Sequence, residues 1–214
     1  MATIAVIDYG MGNLRSVSKA LEYVDDRSRV VITHDAEQIR RADRVVFPGQ
    51  GAIGDCMNEL RRLELDQVLL EVARSKPFLG ICLGMQALLE HSDENGGVDG
   101  LGLVQGRVKH FRDGFREAAI AAPGKVPLMG WTRLRQVRPH PLWRRIEDGD
   151  WFYFVHSYYV ELLDEVTAGV SRYGFDFTAT VARENIFATQ FHPEKSQRAG
   201  LELLANFTRW DGSV

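Results

Sequence analysis

Cysteine is scarce in this chain, with Cys56 and Cys82 the two cysteines among 214 residues. Two cysteines in a chain of this length do not make a disulfide framework. Neither lies in a CxxC pair or in a Cys/His spacing typical of metal sites. We therefore expect no metal site and no cofactor, and a reducing compartment fits best.

Long apolar runs and an excess of one charge are also missing. No apolar stretch approaches the ~20 residues that cross a bilayer, and the N-terminus lacks the features of a secretory signal. The formal net charge is −3, which gives no reason to expect nucleic acid or an anionic membrane as a partner. No linker-like stretch divides the chain, so we expect one cytoplasmic domain over residues 1–214.

The first half of the chain alternates strand and helix patterns. Residues 3–7 form a continuous apolar run, residues 14–24 carry apolar side chains at helical spacing, and two further apolar runs follow at 30–32 and 45–47. This alternation predicts an α/β fold with an open, mostly parallel central sheet and flanking helices.

The second half has a different pattern. After a loop at residues 92–102, short strand-like runs predict a mixed or antiparallel extension of the sheet, and residues 196–210 predict a closing helix. Residues 112–125 show no clear period and are interpreted as a loop or insertion. The strand-like runs lie at residues 104–111, 128–134, 151–160, 166–171, 177–182 and 186–189.

Cys82 lies on a corner between a predicted strand and a predicted helix. Residues 78–81 are strand-like, and from Gly84 onward Met85, Leu88 and Leu89 have helical spacing. A tight corner of this kind needs nearby glycines and exposes its central side chain above the sheet, as the nucleophile elbow does. A helix N-terminus there favours a thiolate. The alternative is a buried structural cysteine beside a glycine-bounded loop.

Two other glycine-rich turns follow predicted strands. The first, at Gly10 and Gly12, is not a dinucleotide motif, because Arg15 occupies the position of the third glycine; a tight turn or a partner surface fits better. The second, at residues 48–51, follows the strand at 45–47. Its backbone N–H groups can face a ligand, although it can equally be an ordinary loop.

His192 and Glu194 supply what a thiol nucleophile needs. They are two residues apart after the strand at 186–189, so in an extended chain both point to the same face. Glu194 can then orient the imidazole, which acts as the base toward Cys82. A surface pair is the alternative, but both motifs follow strands whose carboxyl ends meet at one edge of a parallel sheet.

Such a triad attacks a carbonyl carbon, and the resulting oxyanion needs two donors. The backbone N–H of Leu83 is one, and that of Gln50 or Gly51 is the expected other. Gln86 lies one turn along the predicted helix, where it can hydrogen-bond a substrate carbonyl or carboxylate. The alternative for Gln86 is a solvated helix face.

These three motifs, at residues 48–51, 80–86 and 192–194, resemble the signatures of class I (triad) glutamine amidotransferases, which have a flavodoxin-like fold. Within that group, residues 8–17, 125–131, 154–158 and 182–196 resemble the glutaminase subunits of imidazole glycerol phosphate synthases. Leu128 and Thr132 depart from the pattern, where His and Asn are expected. The resemblance covers nearly the whole chain.

The resemblance implies a function and further site residues. Cys82, His192 and Glu194 would release ammonia from L-glutamine through a thioester, and the ammonia would pass to a cyclase subunit with a (β/α)8 barrel. A heterodimer is thus implied. The residues that the resemblance places in the glutamine pocket are Gly49, Gln86, Glu94, His156, Ser157 and Tyr158, and the candidates for the partner surface are Asn13, Arg15 and Trp131.

Two other interpretations stay open. The chain can be the glutaminase of another pathway, such as anthranilate, aminodeoxychorismate or pyridoxal phosphate synthesis, although residues 8–17 argue against that. It can also be a binding module without activity on the same fold, which the intact triad argues against. For Trp131, a core or edge aromatic is the alternative to a partner contact.

Overall fold

The computed structural model describes residues 1–213. The strands are β1 Thr3–Ile7, β2 Arg29–Thr33, β3 Arg44–Gly49, β4 Phe78–Cys82, β5 Leu89–Ser92, β6 Val98–Asp99, β7 Val104–His110, β8 Leu128–Gln136, β9 Trp151–His156, β10 Tyr158–Val160, β11 Thr167–Tyr173, β12 Phe175–Arg183 and β13 Ile186–Thr189. The α-helices are α1 Leu14–Val24, α2 Ala36–Arg41, α3 Ile53–Arg62, α4 Leu65–Val72, α5 Leu83–Gln86, α6 Phe111–Glu117 and α7 Gln197–Arg209. No helix in this described range is long and apolar enough to cross a membrane.

The strands follow the order β2-β1-β3-β4-β13-β12-β10-β7-β5-β6, with β11 beside β12, β8 beside β11, and β9 beside β8. The first five strands of this order are parallel. Beyond β13 the pairs are antiparallel, except that β5 and β7 are parallel. The prediction of an α/β fold with a mixed extension in the second half is therefore confirmed.

Alternating side chains of the parallel strands enter two apolar clusters, one on each face of the sheet. Ile4 and Val6 pack with residues of α1 and α7. Ala5 and Ile7 pack with residues of α2, α3 and α4. A strand buried on both faces needs apolar residues at consecutive positions, which is the physical reason for the continuous run at the start of the chain.

The register of the parallel strands brings three chain segments to one edge. Gly49 at the end of β3 is opposite Cys82 at the end of β4, and Thr189 at the end of β13 is opposite Ile81. The segments that follow these strands therefore emerge side by side. This edge is where open α/β sheets bind ligands.

Two sequence predictions of local structure were wrong. The first concerns the helix predicted after Cys82, which is only the single turn α5, with Leu89 beginning β5. The segment after it takes the next carbonyl groups, because the N–H of Leu101 donates to Ala87 O at 2.8 Å and that of Val104 to Leu88 O at 2.9 Å. These bonds replace the helical ones that would have continued α5.

The segment 112–125, predicted to be a loop, contains most of α6. Phe111 and Phe115 are buried on one face of this helix and stack on each other with ring centroids 5.9 Å apart. They are four residues apart, which is helical spacing, but a helix of seven residues is too short to give a clear period in the sequence.

Candidate active site

A strained corner at the end of β4 presents Cys82. Its backbone φ is 54° and its ψ is −109°, a conformation that residues with a side chain rarely adopt. Neighbouring glycines allow the corner. A Cβ at Gly84 would lie 1.9 Å from the carbonyl oxygen of Phe47, and one at Gly80 would lie 3.2 Å from the backbone of Gly84. The corner thus has the arrangement of a nucleophile elbow, with Leu83 beginning α5.

The imidazole of His192 lies against the Cys82 side chain. Both side chains line the same cleft, and Nδ1 of the imidazole lies 3.0 Å from Oε1 of Glu194. The Glu194 side chain is fully buried, and His192 is 3% exposed. The structure therefore brings together the three residues that the sequence proposed as a triad.

The sequence predicted that an extended chain brings Glu194 to the same side as His192. The structure forms this contact in a different way. Pro193–Lys195 forms a 3-10 turn, which folds the glutamate back toward the imidazole. The His192 backbone is held on both sides: its N–H donates to Tyr153 O at 3.0 Å, and its carbonyl accepts from Ser196 Oγ at 2.6 Å. Strand β9 and the start of α7 therefore fix where the imidazole lies.

The surroundings of His192 favour its protonated form. Burial alone would lower its pKa, but the hydrogen bonds with Cys82 and Glu194 outweigh that effect and raise the pKa to about 10. The second oxygen of Glu194, Oε2, is buried and has no partner among the residues that the structure describes. An imidazolium beside the sulfur favours the thiolate form of a cysteine.

A cleft of about 450 Å³ opens over this triad. Its wall includes most of the residues that the sequence proposed for the oxyanion donors and the glutamine pocket, together with three that it did not propose. The proposed residues on the wall are Gln50, Gly51, Leu83, Gln86, Glu94, His156, Ser157 and Tyr158, and the additional ones are Pro127, Val155 and Lys195.

Gly49, proposed as a glutamine-binding residue, is not part of this wall. It is buried behind the cleft, where a Cβ would lie 2.5 Å from the hydroxyl oxygen of Tyr9 and 2.8 Å from Cβ of Leu83. The lack of a side chain at this position lets the end of β3 pack against the elbow. Gly49 therefore shapes the backbone beneath the site.

Glu94 lines the cleft and also holds a helix end. Its Oε2 accepts from the N–H of Ile53 at 2.9 Å, so it caps α3. Asp55 does not cap this helix, because α3 begins at Ile53 and Asp55 lies inside its first turn. Glu94 thus ties the irregular segment 93–97 to the cleft.

Gln86 and Gln190 form a buried pair of amides beside the triad. Both N–H groups of Gln86 Nε2 are used, one to Tyr158 O at 3.0 Å and one to Gln190 Oε1 at 2.9 Å. Gln86 is 5% exposed, so it does not lie on a solvated helix face. Its remaining polar atom is Oε1, an acceptor, so the predicted bond to a substrate carbonyl or carboxylate does not fit.

Sequence reasoning missed Gln190 as a site residue. Its side chain is fully buried, and its Nε2 lies 3.7 Å from the sulfur of Cys82. The available signal was its position, because it follows β13 directly and precedes His192 by two residues. The amide of a glutamine is neither ionisable nor nucleophilic, so the sequence alone gives Gln190 no catalytic role.

His156 is neutral at physiological pH. Burial lowers its pKa to about 4, only partly opposed by a hydrogen bond to a backbone carbonyl. Its Nδ1 lies 2.7 Å from Tyr158 O, and because a carbonyl can only accept, Nδ1 carries the proton. The ring packs against Phe111, Phe154 and Phe177. It therefore acts as a rigid part of the wall.

His140 and His156 together predict acid sensitivity. Burial also lowers the pKa of His140 to about 4. A histidine in the unfolded chain protonates near pH ~6.5. Between about pH 6.5 and 4 the unfolded state therefore binds more protons than the folded state, and stability falls as the pH drops through this window. From pH 7 to 5, we expect each histidine to lower the unfolding free energy by about 2 kcal/mol.

Urea unfolding at pH 7 and 5 measures this effect. The His140→Gln variant should lose about 2 kcal/mol less than the parent between these pH values. The exposed His34, changed to Gln in the same way, controls for the loss of a histidine as such and should behave like the parent. An equal fall in His140→Gln and the parent would show that burial of His140 does not couple to stability.

The candidates for a partner surface are accessible to different degrees. Arg15 is exposed and Asn13 is half-buried at the start of α1. Trp131 is 41% exposed, so it is not a core residue, and it meets Tyr153 edge to face at 6.0 Å. Met129 and Trp151 on the same β8–β9 hairpin are 65% and 49% exposed. An exposed apolar face of this kind is typical of protein interaction sites.

The comparisons with known proteins agree with one another. The family model for class-I glutamine amidotransferases matches residues 5–210. An imidazole glycerol phosphate synthase subunit HisH from Nitrosococcus oceani is 58% identical over 214 residues, which is 99% of each chain. A protein of the same name from Pseudomonas syringae is 55% identical over 213 residues, also 99% of each.

Solved structures share the fold at low identity. A PurLQS structure from Thermotoga maritima has a TM-score of 0.71 at 20% identity and covers 97% of this chain and 98% of that one. A structure described as a GMP synthase subunit from Thermoplasma acidophilum has a TM-score of 0.68 at 19% identity, over 97% and 92% of the two chains. These likenesses concern the fold alone.

Proposed function

Because this chain belongs to the class-I glutamine amidotransferase family, we propose that it is the glutaminase subunit of an imidazole glycerol phosphate synthase. It hydrolyses L-glutamine to glutamate and passes the ammonia to a cyclase subunit in histidine biosynthesis. The observation that supports this best is the buried group of Cys82, His192 and Glu194 at the base of an open cleft. A thiol, a base and an orienting carboxylate are what acyl transfer through a cysteine requires.

The reaction proceeds through two displacements at the side-chain amide of glutamine. The Cys82 thiolate attacks the amide carbon, and the C–N bond breaks as the His192 imidazolium gives its proton to the leaving nitrogen, which departs as ammonia. Water then attacks the glutamyl thioester with His192 as the base. The C–S bond breaks and glutamate leaves, and the proton that His192 took from water restores the imidazolium beside the Cys82 thiolate. Glu194 holds the imidazole throughout.

Backbone N–H groups stabilise the oxyanion of both steps. The N–H of Leu83, the first residue of α5, is one donor, and Gln50 or Gly51 on the neighbouring wall of the cleft supplies the other. Gly51 has a φ of 97°, which favours glycine and sets the direction of the peptide groups there. Because the two donors lie on different chain segments, the stabilisation of the oxyanion depends on how these segments are placed.

The wall of the cleft suits an amino acid substrate. Gln86 has only its acceptor oxygen free, and Glu94 adds a carboxylate, so both favour the α-ammonium group of glutamine. Lys195, at the same wall, supplies a cation for the α-carboxylate. His156, Ser157 and Tyr158 close the remaining side. These residues therefore bind glutamine by complementary charge at both ends of its backbone.

The proposed partner is a cyclase subunit with a (β/α)8 barrel, bound in a heterodimer in the cytoplasm. The exposed face of Met129, Trp131 and Trp151 supports a docking surface, and Asn13 and Arg15 at the start of α1 are the other proposed contacts. Residues 1–214 act as one glutaminase domain. The cyclase uses the ammonia with a phosphoribulosyl-formimino carboxamide nucleotide to form imidazole glycerol phosphate and an aminoimidazole carboxamide ribotide.

Glutamate release tests this proposal. It is measured with the chain alone, with the candidate cyclase, and with the cyclase plus its nucleotide. We expect an increase of roughly 5- to 150-fold only when both are present, which is the range that a typical coupling free energy of about 1–3 kcal/mol between two sites gives. Equal activity without them would contradict the assignment and indicate an independent glutaminase.

A further inference from the structure

Gln190 contacts the reacting sulfur from inside the protein. Its Nε2 lies 3.7 Å from Sγ of Cys82, and the side chain is fully buried. The backbone is fixed as well, because the Gln190 N–H donates to Ala179 O on β12 at 2.8 Å. A buried amide in contact with a sulfur and with no access to water has a defined orientation, and that orientation decides what it offers the sulfur.

A backbone carbonyl sets the direction of the amide pair. Tyr158 O can only accept, so the atom of Gln86 that lies 3.0 Å from it is the nitrogen. The second hydrogen of that nitrogen points to Gln190 at 2.9 Å, where an oxygen must accept it. The nitrogen of Gln190 is then the atom that faces Cys82. The order is therefore fixed from Tyr158 through both glutamines to the sulfur.

We propose that Gln190 is a positioning residue for the nucleophile: its amide donates a hydrogen bond to the Cys82 sulfur and stabilises the thiolate. Gln86 holds it in that orientation. A donor to the charged form of an acid favours ionisation, and in a buried site no water replaces it. The inference rests on the proposed role of Cys82 and adds a hydrogen-bond donor to the sulfur, beside the neighbouring imidazole of His192.

The amide pair also joins substrate binding to the nucleophile. Gln86 faces the cleft with its oxygen and faces Gln190 with its nitrogen. A change that displaces Gln86 therefore frees the amide of Gln190 to rotate, and its oxygen can then face the sulfur.

Other titratable groups near Cys82 come from several elements. They are His192, Tyr9 and His156, with Glu94 and Lys195 on the cleft wall.

The pH dependence of Cys82 alkylation tests the inference. Iodoacetamide labelling of the Cys82 peptide is followed by mass spectrometry in the parent, in Gln190→Met, and in the control Gln67→Met, which changes an exposed glutamine on α4. Methionine keeps the length of the side chain but has no donor. We expect the midpoint of labelling in Gln190→Met to rise by about one pH unit, with labelling about tenfold slower at pH values well below both midpoints and equal rates once both thiols are ionised. Gln67→Met should follow the parent.

A second variant separates the donor from packing. Gln190→Glu keeps the shape and can still accept from Gln86, but it places a carboxylate oxygen against the sulfur. Its midpoint should rise further than that of Gln190→Met, because a like charge opposes the thiolate. Thermal unfolding of each variant shows whether it folds. If Gln190→Met does not fold, Gln190→Glu tests the role of the Gln190 amide by itself. A parent-like profile in a folded variant, or slowing by the same factor at every pH, would overturn the inference.

Alkylation does not need glutamine, so the two proposals fail separately. If added glutamine does not protect Cys82 in the parent when the candidate cyclase and its nucleotide are present, the proposed function fails, whatever the profile of Gln190→Met. If glutamine protects Cys82 but the Gln190 variants keep the parent profile, only the role of Gln190 fails.

Discussion

The Cys82→Ala variant should lose glutamine-dependent synthesis by the complex by roughly 10⁴-fold or more, the scale of effect seen when a covalent nucleophile is removed. Synthesis from added ammonia should stay at the parent rate, because the sulfur takes part only in releasing ammonia from glutamine. The measurement is product formation by the chain with the candidate cyclase, with glutamine or an ammonium salt as the nitrogen source.

Cys56→Ala is the matched control for this prediction. Cys56 is fully buried in α3 and packs in the apolar cluster away from the cleft wall. Its removal should lower stability without removing glutamine-dependent synthesis. Loss of both nitrogen sources in Cys82→Ala would count against the division of labour between two subunits. Retention of glutamine-dependent synthesis would place the nucleophile elsewhere.

The Gly84→Ala variant should be strongly destabilised. Its new Cβ would lie 1.9 Å from the oxygen and 2.9 Å from the carbon of the Phe47 carbonyl. Backbone atoms cannot move aside as a flexible side chain can, so β3 and the elbow must separate. We expect a loss of about 3 kcal/mol or more in unfolding free energy, at the upper end of overpacking effects, and loss of glutaminase activity in any protein that still folds.

Gly54→Ala makes the same chemical change, but it should raise the free energy of unfolding instead of lowering it. Gly54 lies inside α3, where a Cβ would meet Val98 Cγ2 at an ordinary contact distance of 3.7 Å. Alanine is a better helix former than glycine, so this variant should gain about 0.5–1 kcal/mol. Urea unfolding of both variants measures the pair. If Gly84→Ala is as stable as the parent, β3 and α5 do not approach each other as closely as the structure shows.

The sequence was sufficient to predict the sheet and the proximity of the three proposed triad residues, because both follow from local patterns and the positions of strand ends. Continuous apolar runs identify buried parallel strands, and the ends of such strands meet at one edge. Cys82 and His192 both follow strands of this kind, so their approach follows from topology. The resemblance to a known family added the residues of the cleft wall, and all but Gly49 line it.

What the sequence could not predict depends on contacts between distant segments. Helix α5 stops after four residues because a segment beyond residue 100 takes its next carbonyl groups. Glu94 caps α3 from 41 residues away. The direction of the Gln190 amide is set by Tyr158 O through Gln86. None of these partners is marked by spacing, charge or composition.

The central claim is that Cys82 is the residue acylated by glutamine, and a glutamine-derived diazoketone tests it most directly. The chain is treated with this analogue in the presence of the candidate cyclase and its nucleotide, and the labelled peptide is identified by mass spectrometry. The account predicts one added group on Cys82, none on Cys56, and protection by excess glutamine. Labelling of Cys56, or labelling of Cys82 that excess glutamine does not slow, would contradict it.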